Sequence, residues 1–192
     1  MKKRFLALLL LVFWGAFTHL AQAQSFEETK AKAAKGDAAA QCTLGVMYAK
    51  GDKVAQDWGQ AKTWFEKAAA QGYDKAQKNL GVMYLKGLGV KQDFAQAKDW
   101  FEKAAAQGNA AAQFSLGFMY AQGDGVKQDW DQAKTWLEKA AAQGEAKAQL
   151  CLGMMYAKGQ GVKKDPARAM SFLEKAAQQG QAEAQDMLKK LK

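Results

Sequence analysis

The chain has 192 residues, with 28 basic and 19 acidic side chains. Three of the basic and none of the acidic side chains lie in residues 1–23, which leaves a net charge of +6 for residues 24–192. This mild charge, with lysines placed among acids, argues against a nucleic-acid-binding protein. The one histidine, His19, lies in the same first segment, so residues 24–192 lack the commonest general base and metal ligand.

The first 23 residues have the pattern of a bacterial signal peptide. Lys2, Lys3 and Arg4 precede an uncharged, mostly apolar run from Phe5 to Phe17, and small residues follow at 21–23. The run is shorter than the roughly 20 residues of a membrane span. We expect cleavage before Gln24, no membrane insertion after cleavage, and a periplasmic or secreted protein. An uncleaved membrane anchor is the alternative.

A 36-residue block then repeats four times without a gap. Its anchor is a Leu-Gly pair, found at residues 44–45, 80–81, 116–117 and 152–153. Fixed self-similarity at this length predicts an all-α, right-handed α-solenoid of stacked helix pairs. The predicted organisation of residues 24–192 is an N-terminal cap at 25–35, repeats at 36–71, 72–107, 108–143 and 144–179, and a C-terminal cap at 180–192.

Each repeat reads as two helices. In the first, Ala40, Leu44, Met47 and Tyr48 have the spacing of one buried helical stripe, and the later copies keep it. Glycine directly after the leucine lowers helix propensity, so its regular return predicts a place where two helices approach closely. A Gly-x-Gly-Val loop follows, and its first glycine suits the residue after a helix end.

Aspartate begins the second helix of every repeat. Asp57, Asp93, Asp129 and Asp165 are the expected N-caps. Glutamine stands three residues later in the first three copies, as in a capping box, and Pro166 takes the first helical position in the fourth. The predicted buried face includes Ala61, Trp64, Phe65, Ala68 and their equivalents. The recurring tryptophans are interpreted as core between repeats, with a ligand-binding role as the alternative.

The only two cysteines are Cys42 and Cys151. Three repeats separate them, and stacked helices lie about 8–10 Å apart. A disulfide requires Cα atoms within about 7 Å, so we expect no intrachain bridge. An intermolecular disulfide through Cys42 or Cys151 remains open if either thiol is exposed.

The motifs L-G-x-M-Y, G-x-G-V, D-x-x-x-A and E-K-A-A-x-Q-G together resemble Sel1-like repeats, relatives of tetratricopeptide repeats. The resemblance covers about residues 36–191. It implies protein–protein interaction, as in adaptors, secreted host-interacting factors and immunity proteins against delivered toxins. Two departures are visible: Lys53 replaces the second loop glycine in the first repeat, and the paired cysteines of many exported members are missing. The chain therefore differs from the cysteine-rich Helicobacter group, to which penicillin binding and β-lactamase activity are attributed.

Catalysis is not indicated by the residues present. None of Ser25, Ser115 and Ser171 begins an S-x-x-K motif, and residues 24–192 hold no histidine for a catalytic triad or a metal site. We expect no enzyme activity, no cofactor and no metal. Loop lysines at Lys91, Lys127, Lys163 and Lys164 suit either an acidic partner or an anionic envelope polymer, with ordinary solubilising charge as the simpler interpretation.

The candidate binding surface lies on the first helices, opposite the buried stripe. Positions two before, two after and five after each anchor leucine fall within about 60° of one another on a helix. They stay mostly apolar while changing between repeats, as expected for a groove that receives a peptide or a helix. Packing against the next repeat is the equal alternative. The candidate residues are Val46, Lys78, Val82, Leu85, Phe114, Phe118, Leu150 and Met154. The hypothesis is a protein- or peptide-binding scaffold; an immunity protein and a β-lactam-binding protein are the alternatives.

Overall fold

The computed structural model describes residues 25–191, which form ten helices and no strand. Helix α1 covers residues 25–34. The others are α2 Ala38–Lys50, α3 Trp58–Ala70, α4 Asp74–Lys86, α5 Phe94–Ala106, α6 Ala110–Gln122, α7 Trp130–Ala142, α8 Ala146–Lys158, α9 Pro166–Gln178 and α10 Ala182–Leu191. The signal peptide and cleavage site predicted at residues 1–24 lie outside this range. Within it, no helix is both long and apolar enough to cross a membrane.

Helix packing follows the order of the chain. The chain divides into two compact units, the first ending at Ala76 and the second beginning at Gln77, inside α4. In the first unit α2 packs against α3. In the second, each helix from α5 onward packs against the next one, up to α10. Contact with sequence neighbours is what the 36-residue repeat predicts.

The predicted aspartate caps are confirmed at all four second helices. In α5, for example, the side chain of Asp93 accepts the backbone N–H of Gln96 at 3.0 Å. The other half of a capping box is not formed, so that part of the prediction was wrong. The N–H of Asp93 donates instead to the carbonyl of Tyr84 at 2.9 Å. That carbonyl belongs to the last turn of α4, where no intrahelical donor remains, so the bond ties the two helices of the repeat together.

The glycine after each anchor leucine allows the two helices of a repeat to touch. A Cβ atom on Gly81 would lie 2.6 Å from the ring of Phe101, and one on Gly117 would lie 2.7 Å from Leu137. Real Cβ contacts are never this short, so the predicted close approach is confirmed. The anchor leucines form the core together with the phenylalanine or leucine that faces each glycine. Leu116 and Phe101, for example, are fully buried.

Lys53 departs from the loop pattern without changing the turn. It adopts φ 65°, close to φ 67° at Gly125 and 66° at Gly161. In those later loops the glycine is also needed for space, because a Cβ on Gly125 would lie 2.2 Å from Phe94. At Lys53 the side chain extends to Ser25, with Nζ 3.1 Å from the hydroxyl oxygen. The first repeat therefore keeps the left-handed turn, at a conformational cost of about 1–2 kcal/mol for a non-glycine residue.

Candidate functional site

The second unit contains an apolar groove with a cavity volume of about 460 Å³. Most of its lining comes from α6 and α8, and α7 and the start of α10 also contribute. Phe114 and Phe118 lie one turn apart on α6, with ring centroids separated by 6.1 Å and planes inclined by 41°. Leu150 and Met154 line it from α8. These four residues define what we call the first-helix groove.

The four groove residues differ in how much of each side chain is accessible. Phe118 is 39% exposed, the one large hydrophobic side chain among residues 25–191 that is classed as exposed. Phe114 and Met154 are half-buried. Leu150 is only 8% exposed, because it packs in the cluster of Leu173, Ala176 and Ala184. The groove therefore offers Phe118 and parts of Phe114 and Met154 to a ligand, over a floor that belongs to the core.

The remaining candidates are placed differently. Val82 and Leu85, both on α4, are half-buried and pack against the core cluster that contains Leu116. Lys78 donates from Nζ to the side-chain oxygen of its neighbour Asn79 at 2.7 Å. Val46 lies half-buried on α2 in the first unit. The predicted face thus consists partly of packing between repeats and partly of open groove, because a first helix has neighbours on both flanks.

The groove is edged by polar and charged side chains. Lys147 stands at the start of α8 and Glu183 at the start of α10, with the amides of Gln122, Gln160 and Gln181 nearby. Burial raises the pKa of the Cys151 thiol in this wall to about 11, and the Glu183 carboxylate adds to the rise. Cys151 is therefore a protonated thiol at neutral pH. Cys42, on α2, is buried.

The recurring tryptophans in the middle of the second helices, Trp64, Trp100 and Trp136, each lie beneath a lysine of the same helix. The lysine Nζ to ring centroid distances are 4.2 Å for Trp64, 4.2 Å for Trp100 and 4.3 Å for Trp136. Trp64 also packs against the cluster of Leu44 in the first unit, and Trp136 against that of Leu116 in the second. Cation–π contacts of this kind contribute about 0.5–1 kcal/mol at exposed sites. These contacts favour the core interpretation of the tryptophans over a ligand site.

Sequence reasoning missed a set of buried glutamines. They stand three residues before each anchor leucine, at Gln41, Gln77, Gln113 and Gln149. Gln113 donates to the carbonyl of Ala105 at 3.3 Å and accepts from Gln143 at 2.8 Å. The same amide pairing joins Gln41 to Gln71 and Gln149 to Gln179. Their invariance among the four repeats was the available signal, since a polar residue kept beside a buried stripe needs a polar partner.

Comparison with known sequences identifies the repeat. The sequence model of the Sel1 repeat matches residues 38–73, 74–109, 110–145 and 146–181, which is most of the chain. This chain belongs to the Sel1 repeat family. The matched copies begin two residues after the boundaries predicted from the Leu-Gly period. No curated protein matches the sequence significantly.

Solved structures show the same architecture. A protective antigen of uropathogenic Escherichia coli is 43% identical, with 83% of this chain and 34% of that protein covered and a TM-score of 0.79. A Sel1 repeat protein of Oxalobacter formigenes is 35% identical, with 85% and 66% covered and a TM-score of 0.81. This Sel1 repeat chain thus spans about a third of the length of the E. coli protein and 66% of the Oxalobacter protein. The predicted all-α helical repeat solenoid is confirmed.

An immunity protein of Pseudomonas aeruginosa also resembles this Sel1 repeat protein, at 17% identity and a TM-score of 0.50, with 82% of this chain and 74% of that protein covered. This likeness shows a shared fold alone, so the immunity alternative stays a prediction. Sel1 repeat proteins are generally non-enzymatic scaffolds that mediate protein–protein interaction. Among residues 25–191 no group of three or more potential metal ligands comes together.

Proposed function

We propose that this Sel1 repeat protein is an exported scaffold that binds an apolar side chain of a protein partner in the first-helix groove. The observation that carries the proposal is the exposure of Phe118 above a groove already lined by Phe114, Leu150 and Met154. An open apolar recess with a polar rim is the usual form of a site that receives a peptide or a helix. The partner is a protein because the family mediates protein–protein interaction.

The groove suits an anchor residue because its base is rigid. Leu150 and Leu137 belong to core clusters and are held by neighbouring helices, whereas Phe118 is exposed. A partner side chain inserted beside Phe118 would bury apolar surface on both molecules without reorganising the core. Lys147 and Glu183 on the rim carry opposite charges. They would therefore orient a polar segment of the partner rather than select a partner by its net charge.

Export is supported by the sequence of the first segment, with its basic start, apolar run and small residues before Gln24. We place the mature protein in the periplasm or outside the cell. We also propose that it performs no catalysis, since residues 24–192 lack histidine and an S-x-x-K motif.

The test compares a substitution in the groove with one of the same charge outside it. Proteins of a bacterial envelope extract are captured on the wild-type protein, and their affinities are measured for wild type and for Phe118→Asp. Burying a Phe side chain contributes about 1.5–3 kcal/mol, and about 1.4 kcal/mol is a factor of ten in affinity, so we expect at least about tenfold weaker binding. Thr135→Asp, which adds the same charge at an exposed position on α7, should bind like wild type.

Stability separates a binding residue from a core residue. Leu116 is fully buried, so Leu116→Asp should unfold its repeat, while Phe118→Asp should keep near wild-type helicity by circular dichroism. Loss of folding in Phe118→Asp as severe as in Leu116→Asp would show that this face is packing, and the binding site would then have to be in the loops. Unchanged affinity in a folded Phe118→Asp protein would show that the groove does not bind the partner.

A further inference from the structure

The loop between α8 and α9 carries positive charge at positions that are neutral in the other repeats. Lys164 occupies the position of Gln56, Gln92 and Gln128, and Arg168 that of Gln60, Gln96 and Gln132. In the first three repeats the earlier glutamine donates from Nε2 to a carbonyl seven residues before it, at 2.8, 2.8 and 2.7 Å. Lys164 is equally exposed, but within residues 25–191 its side chain makes no such hydrogen bond. The fourth loop has therefore replaced a structural amide by a solvated cation.

Arg168 is held in place by an aromatic stack. Its guanidinium lies over the ring of Tyr156, 5.5 Å from the centroid, and Nη1 donates to the Tyr156 hydroxyl at 3.3 Å. Tyr156 in turn stacks on Phe172, with centroids 5.9 Å apart and planes inclined by 5°. Tyr156 is 4% exposed, whereas the equivalent tyrosines of the other repeats are only half-buried. The arginine is thus positioned before any ligand arrives, which lowers the entropy cost of binding.

The cations surround a polar pocket of about 590 Å³. Lys134, Lys163, Lys164 and Arg168 line it, and we call them the loop cation cluster. Asp165 is the one acid in the lining, and both of its oxygens are engaged by Arg168, Oδ1 by the backbone N–H at 3.0 Å and Oδ2 by Nε at 3.4 Å. Lys134 lies 3.8 Å from Glu138. Within residues 25–191, Lys163 and Lys164 make no ion pair, so the pocket has an excess of positive charge.

We propose that the loop cation cluster binds an acidic segment of a protein, with carboxylates on Arg168 and on the two loop lysines. Arginine in a fixed orientation is suited to a carboxylate because its donors form a planar fork. A nucleic acid would require a longer track of cations. The third repeat does not supply one, since Lys127 of its loop stands among Asp124, Asp129 and Asp131 in the sequence. The pocket shares no lining residue with the first-helix groove, and the proposal does not depend on the function proposed for that groove.

A labelled oligoglutamate peptide tests the proposal on the purified protein. We expect saturable binding that weakens with salt, as the Debye length shortens from about 30 Å at 0.01 M to about 3 Å at 1 M ionic strength. Replacing Lys163, Lys164 and Arg168 together by glutamine, which the other repeats carry at the positions of Lys164 and Arg168, should lower affinity about three- to hundredfold, given about 1.4- to fivefold for each exposed charge pair. Lys163→Gln/Lys164→Gln, which leaves Arg168 on Tyr156, should lose part of that affinity. The matched control, Lys91→Gln/Lys127→Gln, should lose little.

Three results would overturn the proposal. If the variant that lacks Lys163, Lys164 and Arg168 bound oligoglutamate as tightly as the Lys91→Gln/Lys127→Gln control, the peptide would be binding to diffuse surface charge. Equal binding of an oligoglutamine peptide of the same length would show that the carboxylates are not recognised. Binding of inorganic polyphosphate at the cluster without binding of oligoglutamate would identify the ligand as an anionic polymer other than a protein.

Discussion

The thiol of Cys151 lies in the wall of the first-helix groove, and its reactivity shows whether water reaches that wall. Burial raises the pKa of its thiol to about 11, compared with about 8.5 for an unburied cysteine. Only the thiolate is a good nucleophile. In a Cys42→Ala background, alkylation by iodoacetamide should therefore accelerate as the pH rises through about 11. Acceleration centred near pH 8.5, measured by intact mass, would show that the native groove wall is open to water.

The same shift makes stability depend on pH. The native state holds the proton of Cys151 more tightly than the unfolded chain does, so its stabilising contribution is complete below about pH 8.5. The contribution is lost as the pH rises from there through about 11. The pKa of Lys98 is raised by its hydrogen bond to Glu102, so its contribution to stability is also lost as the pH rises into the alkaline range. Urea unfolding of wild type and Cys151→Ala separates the two, since only the cysteine part of the slope disappears in the variant.

The helices are joined by polar contacts as well as by core packing. Each second helix ends with a glutamine whose amide reaches the buried glutamine of a first helix, as Gln143 does with Gln113 at 2.8 Å. Gln113 also satisfies the carbonyl of Ala105. The bond from Gln113 to Ala105 crosses the junction between the second repeat and the third, and the bond to Gln143 joins the two helices of the third repeat, so a shift of α6 along its neighbours would break both bonds.

Gln113→Leu tests this junction. Leucine is similar in size to glutamine but can form neither hydrogen bond. The amide of Gln143 and the carbonyl of Ala105 therefore lose this partner. We expect a loss of about 1–3 kcal/mol in the free energy of unfolding, at about 0.5–1.5 kcal/mol for each of the two hydrogen bonds. Urea denaturation gives the measurement. Gln178→Leu, at an exposed position on α9, is the control and should change stability little; equal stability of the two variants would contradict a structural role for the pair.

Cleavage of the predicted signal peptide would set the composition of the whole molecule. We expect cleavage between Ala23 and Gln24, which removes three basic residues and the one histidine and leaves a net charge of +6. Intact mass of protein recovered from the periplasm and the medium measures this directly. A recovered mass that still includes residues 1–23 would favour a membrane-anchored protein and contradict the predicted cleavage.

Much of the fold follows from local rules that recur with the repeat. The Asp57-type caps and the glycine beside Phe101 depend on contacts within about one repeat, so periodicity and residue type were enough to predict them. The capping-box prediction was wrong because the backbone N–H of Asp93 donates to the carbonyl of Tyr84, which belongs to the preceding helix. A local motif cannot show which of two acceptors is nearer once helices pack.

The candidate site depended more on the tertiary structure. Helical phase placed Phe118 and Leu150 on equivalent faces, yet one is 39% and the other 8% exposed. The difference arises because α9 and α10 cover Leu150, which no pattern within α8 reveals. Likewise, the lysines of the fourth loop were visible in the sequence, but their position around a pocket with a preoriented Arg168 was not.

The sequence alone therefore determined the repeat length, the two helices of each repeat, their caps and the family, because these depend on residues close together in the chain. Only the tertiary structure decided which apolar side chains remain open, how the buried glutamines pair, and where the cations of one loop converge. Those outcomes depend on the helix that packs next, and on whether its side chains cover or expose the surface beneath.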